Sequence, residues 1–171
     1  MSTRKTRASD QVDHLDLTIL DYLLQNGRIT FKQLAKATHT DQRTIASRYQ
    51  RLVKLGILQA VTVQVDWSKV GLNAMAIMGT TTPQGEQERR KLMDYIKSEC
   101  RVLEGFSAIG SHEYVLRVVD KDISTLRKTI AGPLEPLTAS LDTSVVVEKI
   151  KSPDYKGLMK YLKNETSKKH Q

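Results

Sequence analysis

The stretch that decides the fold is residues 30–58, TFKQLAKATHTDQRTIASRYQRLVKLGIL. Thr30 and Gln33 have capping-box spacing, so a short helix burying Leu34 and Ala35 starts here and runs out near Thr38. Asp41 is a further N-cap. At roughly 100° per residue, the helix behind it gathers Ile45, Tyr49, Leu52, Val53 and Leu55 on one continuous arc. The opposite arc holds Arg43, Ser47, Gln50, Arg51 and Lys54 and almost no acid. Gly56 suits the C′ position that ends such a helix.

Working outward, Asp13 can cap an earlier helix with Asp16 at N3 and Leu15, Ile19, Leu20, Leu23 and Leu24 as its apolar stripe; Asn26-Gly27 ends it. Three short helices, the last two joined by a few residues, make a helix-turn-helix. Ahead of them, residues 1–11 are polar, carry Arg4, Lys5 and Arg7, and read as a flexible basic arm. Behind them, Ile57 to Val65 alternates partially and predicts a strand ending at Asp66, with 67–72 as connector.

The remainder divides into six units. Strand 74–80 is followed by helix 86–100, with Leu92, Met93, Ile96 and Cys100 inward. Strand 102–109 turns through Gly110-Ser111-His112-Glu113 into strand 114–119. A helix from Ile123 carries Leu126 and Ile130, and strand 141–150 closes the series. The order βαββαβ is that of a ferredoxin-like sandwich, with both helices on one face of an antiparallel sheet and the other face left for something else to cover.

The fold class is therefore α+β, an N-terminal winged helix-turn-helix domain followed by a ferredoxin-like βαββαβ domain. The expected divisions are an arm over 1–11, the helix-turn-helix over 12–58, linker strand and connector over 59–72, the sheet domain over 73–151, and a basic helical extension over 152–171. In that extension Tyr155, Leu158, Met159 and Leu162 recur at helical spacing beside Lys156, Lys160 and Lys163. An amphipathic helix results, packed on the protein's own dimer or touching DNA or membrane.

Composition narrows the function. The 171 residues suffice for one ordinary domain or two small ones, and 39% hydrophobic with 27% charged residues is the balance of a globular protein. No apolar run approaches the ~20 residues of a membrane span, and no apolar h-region follows the N-terminal cations, which places the chain in the cytoplasm. Cys100 is the only cysteine, so neither a disulfide framework nor a zinc motif with a Cys pair is available. His14, His39, His112 and His170 are dispersed, with no nucleophile-base pair and no ligand spacing; no catalytic residue, cofactor or metal is expected. Twenty-seven Lys and Arg against 19 Asp and Glu give +8, a field that favours a polyanion. Charge alone admits nucleic acid and anionic membrane; the acid-poor arc of the last helix favours double-stranded DNA.

The series Val12-Asp13, Asp16, Ile19-Leu20, Leu23, Asn26-Gly27-Arg28-Ile29-Thr30, Leu34-Ala35, Thr44-Ile45, Arg48, Arg51-Leu52 and Lys54-Leu55-Gly56-Ile57-Leu58 resembles the Lrp/AsnC family of bacterial and archaeal transcription regulators. The likeness covers roughly residues 12–151. It implies that the C-terminal half binds an effector and oligomerises, its sheet pairing with a second subunit and its dimers assembling into tetramers or octamers. Two departures stand out. Asp41 replaces the family's usual Ser cap, and Gly110-Ser111-His112-Glu113-Tyr114 stands where the family shows a Gly-Asp-Tyr-Asp-Tyr type of turn.

Docked in a major groove, such a helix presents its N-terminal residues to base edges, so Gln42, Arg43, Thr44 and Ser47 are candidates for readout. Arg51 and Lys54 suit phosphates. Arg28, Arg4, Lys5 and Arg7 suit neighbouring backbone or minor groove. Arg48 falls beside the packed flank and suits an acid such as Asp16 or a phosphate. By the resemblance, Gly110, Ser111, His112, Glu113 and Tyr114 line the effector site, where an amino acid or related amine, or no effector at all, fits these residues equally. Two rival readings are a non-specific architectural DNA-binding protein and a siroheme-decarboxylase-like enzyme of similar architecture.

Overall fold

The computed structural model describes residues 12–168, so the arm residues Arg4, Lys5 and Arg7 lie outside the described residues. The chain divides into two compact units, one reaching to residue 64 and taking up 151 onward, the other spanning 65–150.

In the first unit, α1 (His14–Gln25) starts because Asp13 and Asp16 close a reciprocal capping box, each carboxylate accepting the other's backbone N–H at 3.0 Å. Thr30 and Gln33 start α2 (Phe31–Ala37) in the same way. Asp41 caps α3 (Gln42–Lys54), which Leu55 and Gly56 close, Gly56 in the left-handed region at φ 69°. Between α2 and α3 the turn places His39 at φ 51°. Ile19, Leu34, Ile45 and Leu52 have no exposed surface and form the centre of the unit. The Phe31 and Tyr49 rings extend it, tilted with centroids 5.2 Å apart.

Asp16 is fully buried as well. Its carboxylate pairs with Arg51 and lies 3.3 Å from Arg48 Nη1, which also binds Asp13. Two cations from one face of α3 are thereby fixed to the first turn of α1. Burial alone would push the Asp13 carboxyl up; the Asp16 backbone N–H and the Arg48 guanidinium outweigh it and hold it below its ordinary value.

The apolar stripes differ from expectation at their edges. Leu24 and Val53 are 45% and 44% exposed, whereas Leu17 is buried. Leu17 lies on the flank of α1 against which α7 (Tyr155–Lys168) packs. Leu17 lies one turn from Asp21, whose carboxylate accepts Lys163 Nζ at 2.5 Å. Met159 is the buried residue of α7. The tail helix thus seats on this chain's own first helix.

Residues 57–65, expected as a strand, belong to no ladder, because no described strand lies alongside to take their hydrogen bonds. Val61 sits against Gly27, where an added Cβ would come within 2.6 Å of its Cγ1. A 3₁₀ turn, Trp67–Val70, follows.

The second unit has the expected order. Strands β1 (Ala74–Thr81), β2 (Val102–Ser107), β3 (Tyr114–Asp120) and β4 (Ser140–Val145) form one sheet, β2-β3-β1-β4, with every neighbouring pair antiparallel. Ala74, Ala76 and Met78 alternate onto one face with Tyr114, Leu116 and Val118, and there meet Leu92 of α4 (Glu86–Ser98) and Leu126, Ile130 and Leu134. Ile77 and Phe106 belong to the other face and are exposed.

Three expected boundaries are corrected. Helix α4 stops at Ser98, because Arg101 grips the Glu99 carboxylate at 2.7 and 2.9 Å and turns the chain; Cys100 is exposed instead of inward. The last strand ends at Val145, since β1 begins at Ala74 and the Val146 N–H bond to the Met75 carbonyl uses its last partner; Val147 and Ile150 run on exposed. The second helix is composite: α5 (Ile123–Leu126), a π turn (Arg127–Ala131), α6 (Gly132–Leu134) and a 3₁₀ turn (Glu135–Leu137). Pro133 and Pro136 supply no N–H, and the Thr129 carbonyl that Pro133 leaves open accepts Arg101 Nη2 at 3.3 Å.

Two predictions follow from these contacts. Replacing Asp16 by Ala removes one acidic partner from each of Arg48 and Arg51 and half of a capping box; discounted because both arginines are about a third exposed, the loss is about 3 kcal/mol. Asp16→Asn, which keeps an acceptor for the cap, loses about half as much, in urea titrations followed by the amide signals of α3. Separately, the Lys163 ammonium holds the Asp21 carboxyl below its ordinary value. A depressed carboxylate contributes its stability above its unfolded value and loses it as pH falls below about 4. The protection of α7 amides, measured against the intrinsic exchange rate at the same pH, is therefore expected to fall in acid, and Asp21→Asn to lower it about fivefold at pH 7.

Candidate nucleic-acid interface and effector turn

Along α3, Gln42, Arg43, Ser47, Gln50 and Lys54 are exposed. No acid stands among them; among the described residues of α3 and its cap, the carboxylate at this end is Asp41. Thr44 is occupied there, donating its N–H and its hydroxyl to Asp41 at 2.8 and 2.5 Å, and the hydroxyl, then the N–H, hold the Asp41 carboxyl below its ordinary value. The structure therefore separates the expected readers: Gln42, Arg43 and Ser47 are presented to solvent, and Thr44 is engaged in the cap. Of the expected phosphate contacts, Lys54 is exposed in the last turn of α3 and Arg28 is exposed in the turn after α1. Arg48 and Arg51 are both placed on Asp16, and Arg48 also on Asp13. Asp13 as partner was not read from the sequence, although its place at the N-cap of α1, one turn from Asp16, is the signal that points to it.

The turn after β2 is held tightly. Ala108 N–H donates to the Glu113 carbonyl at 2.8 Å, and Glu113 N–H to the Thr80 carbonyl at 2.9 Å. Gly110 has φ 158°, close to extended backbone, and Gly110 and Ser111 are exposed. The His112 ring lies flat on the uncovered face of β1: a Cβ at Gly79 would come within 2.5 Å of it. Its Nε2 is 3.9 Å from Asp142 Oδ2 on β4. Glu113 turns the other way, accepting Thr82 N–H at 3.2 Å and lying 4.0 Å from Arg89 of α4. Arg89 Nε also donates to the buried Tyr114 hydroxyl at 3.1 Å.

Thr82, Pro83, Gln84, Gly85, Glu86, Arg89 and Glu113 line an open cleft here. The expected effector residues are thus parted. Glu113 and Tyr114 share the cleft side with Arg89, and His112 faces the bare side of the sheet. Arg89 was not read from the sequence, where it stands 24 positions before Glu113 and no motif joins them.

The helix-turn-helix region, residues 12–53, matches the AsnC-type helix-turn-helix domain. The transcriptional regulator AzlB of Bacillus subtilis (strain 168) is 28% identical over 139 residues, 80% of this chain and 88% of that protein. The fold is that of E. coli AsnC, TM-score 0.75 at 20% identity over 84% of this chain and 97% of that one. It is equally that of the regulator NMB0573 of Neisseria meningitidis, solved as a complex with L-Met, TM-score 0.75 at 20% identity over 82% and 93% of the two chains. The chain thus carries an AsnC-type helix-turn-helix domain over residues 12–53, is similar to a transcriptional regulator along most of both chains, and has the fold of AsnC.

Proposed function

We propose that this protein is a transcription regulator of the Lrp/AsnC type that reads its DNA site with the exposed face of α3, as a symmetric dimer on palindromic DNA. The observation that carries the reading is the arc of Gln42, Arg43, Ser47, Gln50 and Lys54, exposed, free of acid and held in place through Asp16. Such a helix enters the major groove with its first turns against base edges. Arg43 is suited to guanine and Gln42 to adenine by bidentate bonding, and Ser47 to either. Lys54, at the far end, neutralises a phosphate, and Arg28 and the arm cations Arg4, Lys5 and Arg7 neutralise others. Arg48 and Arg51 act mainly as positioning residues, through Asp16, with their partly exposed heads at the edge of the interface. The dimer is supported by the uncovered sheet face carrying Ile77 and Phe106, and larger assemblies follow if dimers associate further. Architectural coating is the less favoured reading, because coating does not require Gln42 and Ser47 to interleave the cations.

The cleft beside Glu113 is the proposed effector site. Glu113 offers an acceptor to an ammonium group, and Arg89 a donor to a carboxylate, the two charges of an amino acid. The L-Met bound to NMB0573 supports that ligand class.

On a selected palindrome, Arg43→Ala is expected to cost ~1–3 kcal/mol and to relax sequence preference, while Lys54→Ala weakens all sequences alike and lowers the salt slope by about 1. Anisotropy titrations at several salt concentrations measure both; equal loss of specific and non-specific binding in the two variants would refute this docking of α3. For the cleft, calorimetry across the twenty amino acids and simple amines is expected to find a ligand whose binding Glu113→Ala abolishes. Binding unchanged by that substitution places the site elsewhere, and silence across the panel leaves the turn a purely structural element.

A further inference from the structure

We propose that the apolar flank of the α1·α7 pair is an interface with a second copy of this chain, in which α7 packs antiparallel against its counterpart across a two-fold axis. The proposal rests on the dimer reading given above and adds, to the bare sheet face, a contact between the reading units themselves.

Helix α7 has three sides. At roughly 100° per residue, Met159, Lys163 and Thr166 share one arc; Met159 is buried and Lys163 is tied to Asp21, so this side rests on α1. To one side of that arc, Lys156 and Lys160 line an open polar groove together with His14 and Asp21 of α1. To the other side lie Tyr155, Leu162, Leu158 and Tyr161, in that order round the helix. Helix α1 continues the same division. Going round it away from His14, Asp21 comes first, then the buried Leu17, then Leu24 and Leu20. Since His14 and Asp21 belong to the lysine groove, Leu24 and Leu20 fall on the flank that carries the tyrosines and leucines of α7. The pair is thus polar along one seam and apolar along the other. Tyr155, Leu158, Tyr161, Leu162 and Leu24 are each between 37 and 61% exposed.

Area and charge argue for a second copy as the occupant. These five side chains present roughly 500 Å² of mostly apolar surface, so two such faces withdraw about 1,000 Å² from water, the threshold for a specific contact. Tyr155, Leu158 and Leu162 stand three and four apart, the spacing along which helices pair. The next member of the series is Glu165, whose Oε1 accepts Lys168 Nζ at 2.9 Å. Parallel pairing would set Glu165 against its own copy, two like charges at one place. Antiparallel pairing brings Leu158 level with Leu162 of the partner subunit, and Glu165 level with Tyr155 of the partner subunit, whose phenol is a donor for the carboxylate. The stripe complements itself in one direction only, and a contact of that kind closes as a dimer. It joins the two reading units directly and fixes the separation of the two α3 helices, which a palindrome with half-sites ~34 Å apart requires.

The experiment uses the full chain. Leu158→Glu/Tyr161→Glu, with Leu158→Met/Tyr161→Phe beside it, is followed by sedimentation equilibrium, and circular dichroism of each variant checks that α7 is intact. The glutamate pair is expected to raise the dissociation constant between copies about tenfold or more, and the apolar pair to leave it unchanged. On a Cys100→Ser background, a short bis-maleimide is expected to link copies through Tyr161→Cys and not through Lys160→Cys, which lies on the far side of α7. Association unchanged in the glutamate pair overturns the proposal, as do cross-links at both cysteines or at neither. If Ile77→Glu dissociates the chain while the glutamate pair does not, the dimer stands on the sheet face and α7 takes no part in it. Binding to vesicles of phosphatidylcholine and phosphatidylglycerol that the glutamate pair loses, with association intact, assigns the flank to lipid and also overturns the proposal.

Discussion

The buried carboxylate of Asp16 is the constraint on which the first unit depends. A charge with no exposed surface is tolerated only when fully partnered, and Asp16 is partnered from three directions: the Asp13 N–H, Arg48 and Arg51. Each partner does something for the fold. The N–H starts α1, while the two arginines, three residues apart on α3, set the rotation of that helix about its axis. With Arg48 and Arg51 directed at α1, and Ile45 and Leu52 directed at the core, the residues left outward are those of the acid-free arc. An arginine that looks like a DNA contact by composition thus acts first as a bearing. Removing the carboxylate would unsettle the orientation of every reader without touching one.

The sheet unit is organised by a different device, a set of satisfied polar groups at one end of an apolar core. Arg101 joins Glu99, Asp120 and the Thr129 carbonyl, and Asp120 also accepts the Thr129 hydroxyl at 2.7 Å. Burial would raise the Asp120 carboxyl, but the Thr129 hydroxyl, the Lys121 N–H and Arg101 together keep it low. This knot holds the start of β2, the end of β3 and the π turn together. It also explains why a helix interrupted by Pro133 and Pro136 still packs Leu126, Ile130 and Leu134 against the sheet. The carbonyl released by the interruption has a cationic donor waiting.

Much of this was legible in the sequence, and the parts that were not share a physical cause. Caps are local, so Asp13, Thr30, Asp41 and Gly56 announced the helices correctly, and the alternation of β1 and β3 announced the sheet. What misled was any feature decided by a neighbour distant in sequence. Val61, Val63 and Val65 have the composition of a strand, but a strand exists only where a second one takes its hydrogen bonds. Leu17 is buried because α7, more than a hundred residues onward, covers one flank of α1. Cys100 continues the apolar period of α4, yet the Glu99–Arg101 pair ends the helix first. In the site, His112 and Glu113 are adjacent in sequence and point to opposite sides of the sheet, and Arg89 reaches the turn only through the fold.

The cap at Asp41 shows how a local necessity limits the reading surface. A helix that approaches DNA with its N-terminus brings a partial positive charge there, and a carboxylate at the cap offsets it. Here the carboxylate is drawn inward, accepting both donors of Thr44, so its negative charge is absorbed by the first turn. The cost falls on Thr44, whose hydroxyl is committed to the cap while that bond stands. In the proposed docking, readout then rests on Gln42, Arg43 and Ser47, residues on three different bearings around the first two turns of α3. With only one guanidinium and one carboxamide among them, a half-site can contain few strongly specified base pairs. In the proposed dimer, discrimination beyond those would come from the second copy of α3, and the remaining affinity from phosphate contacts.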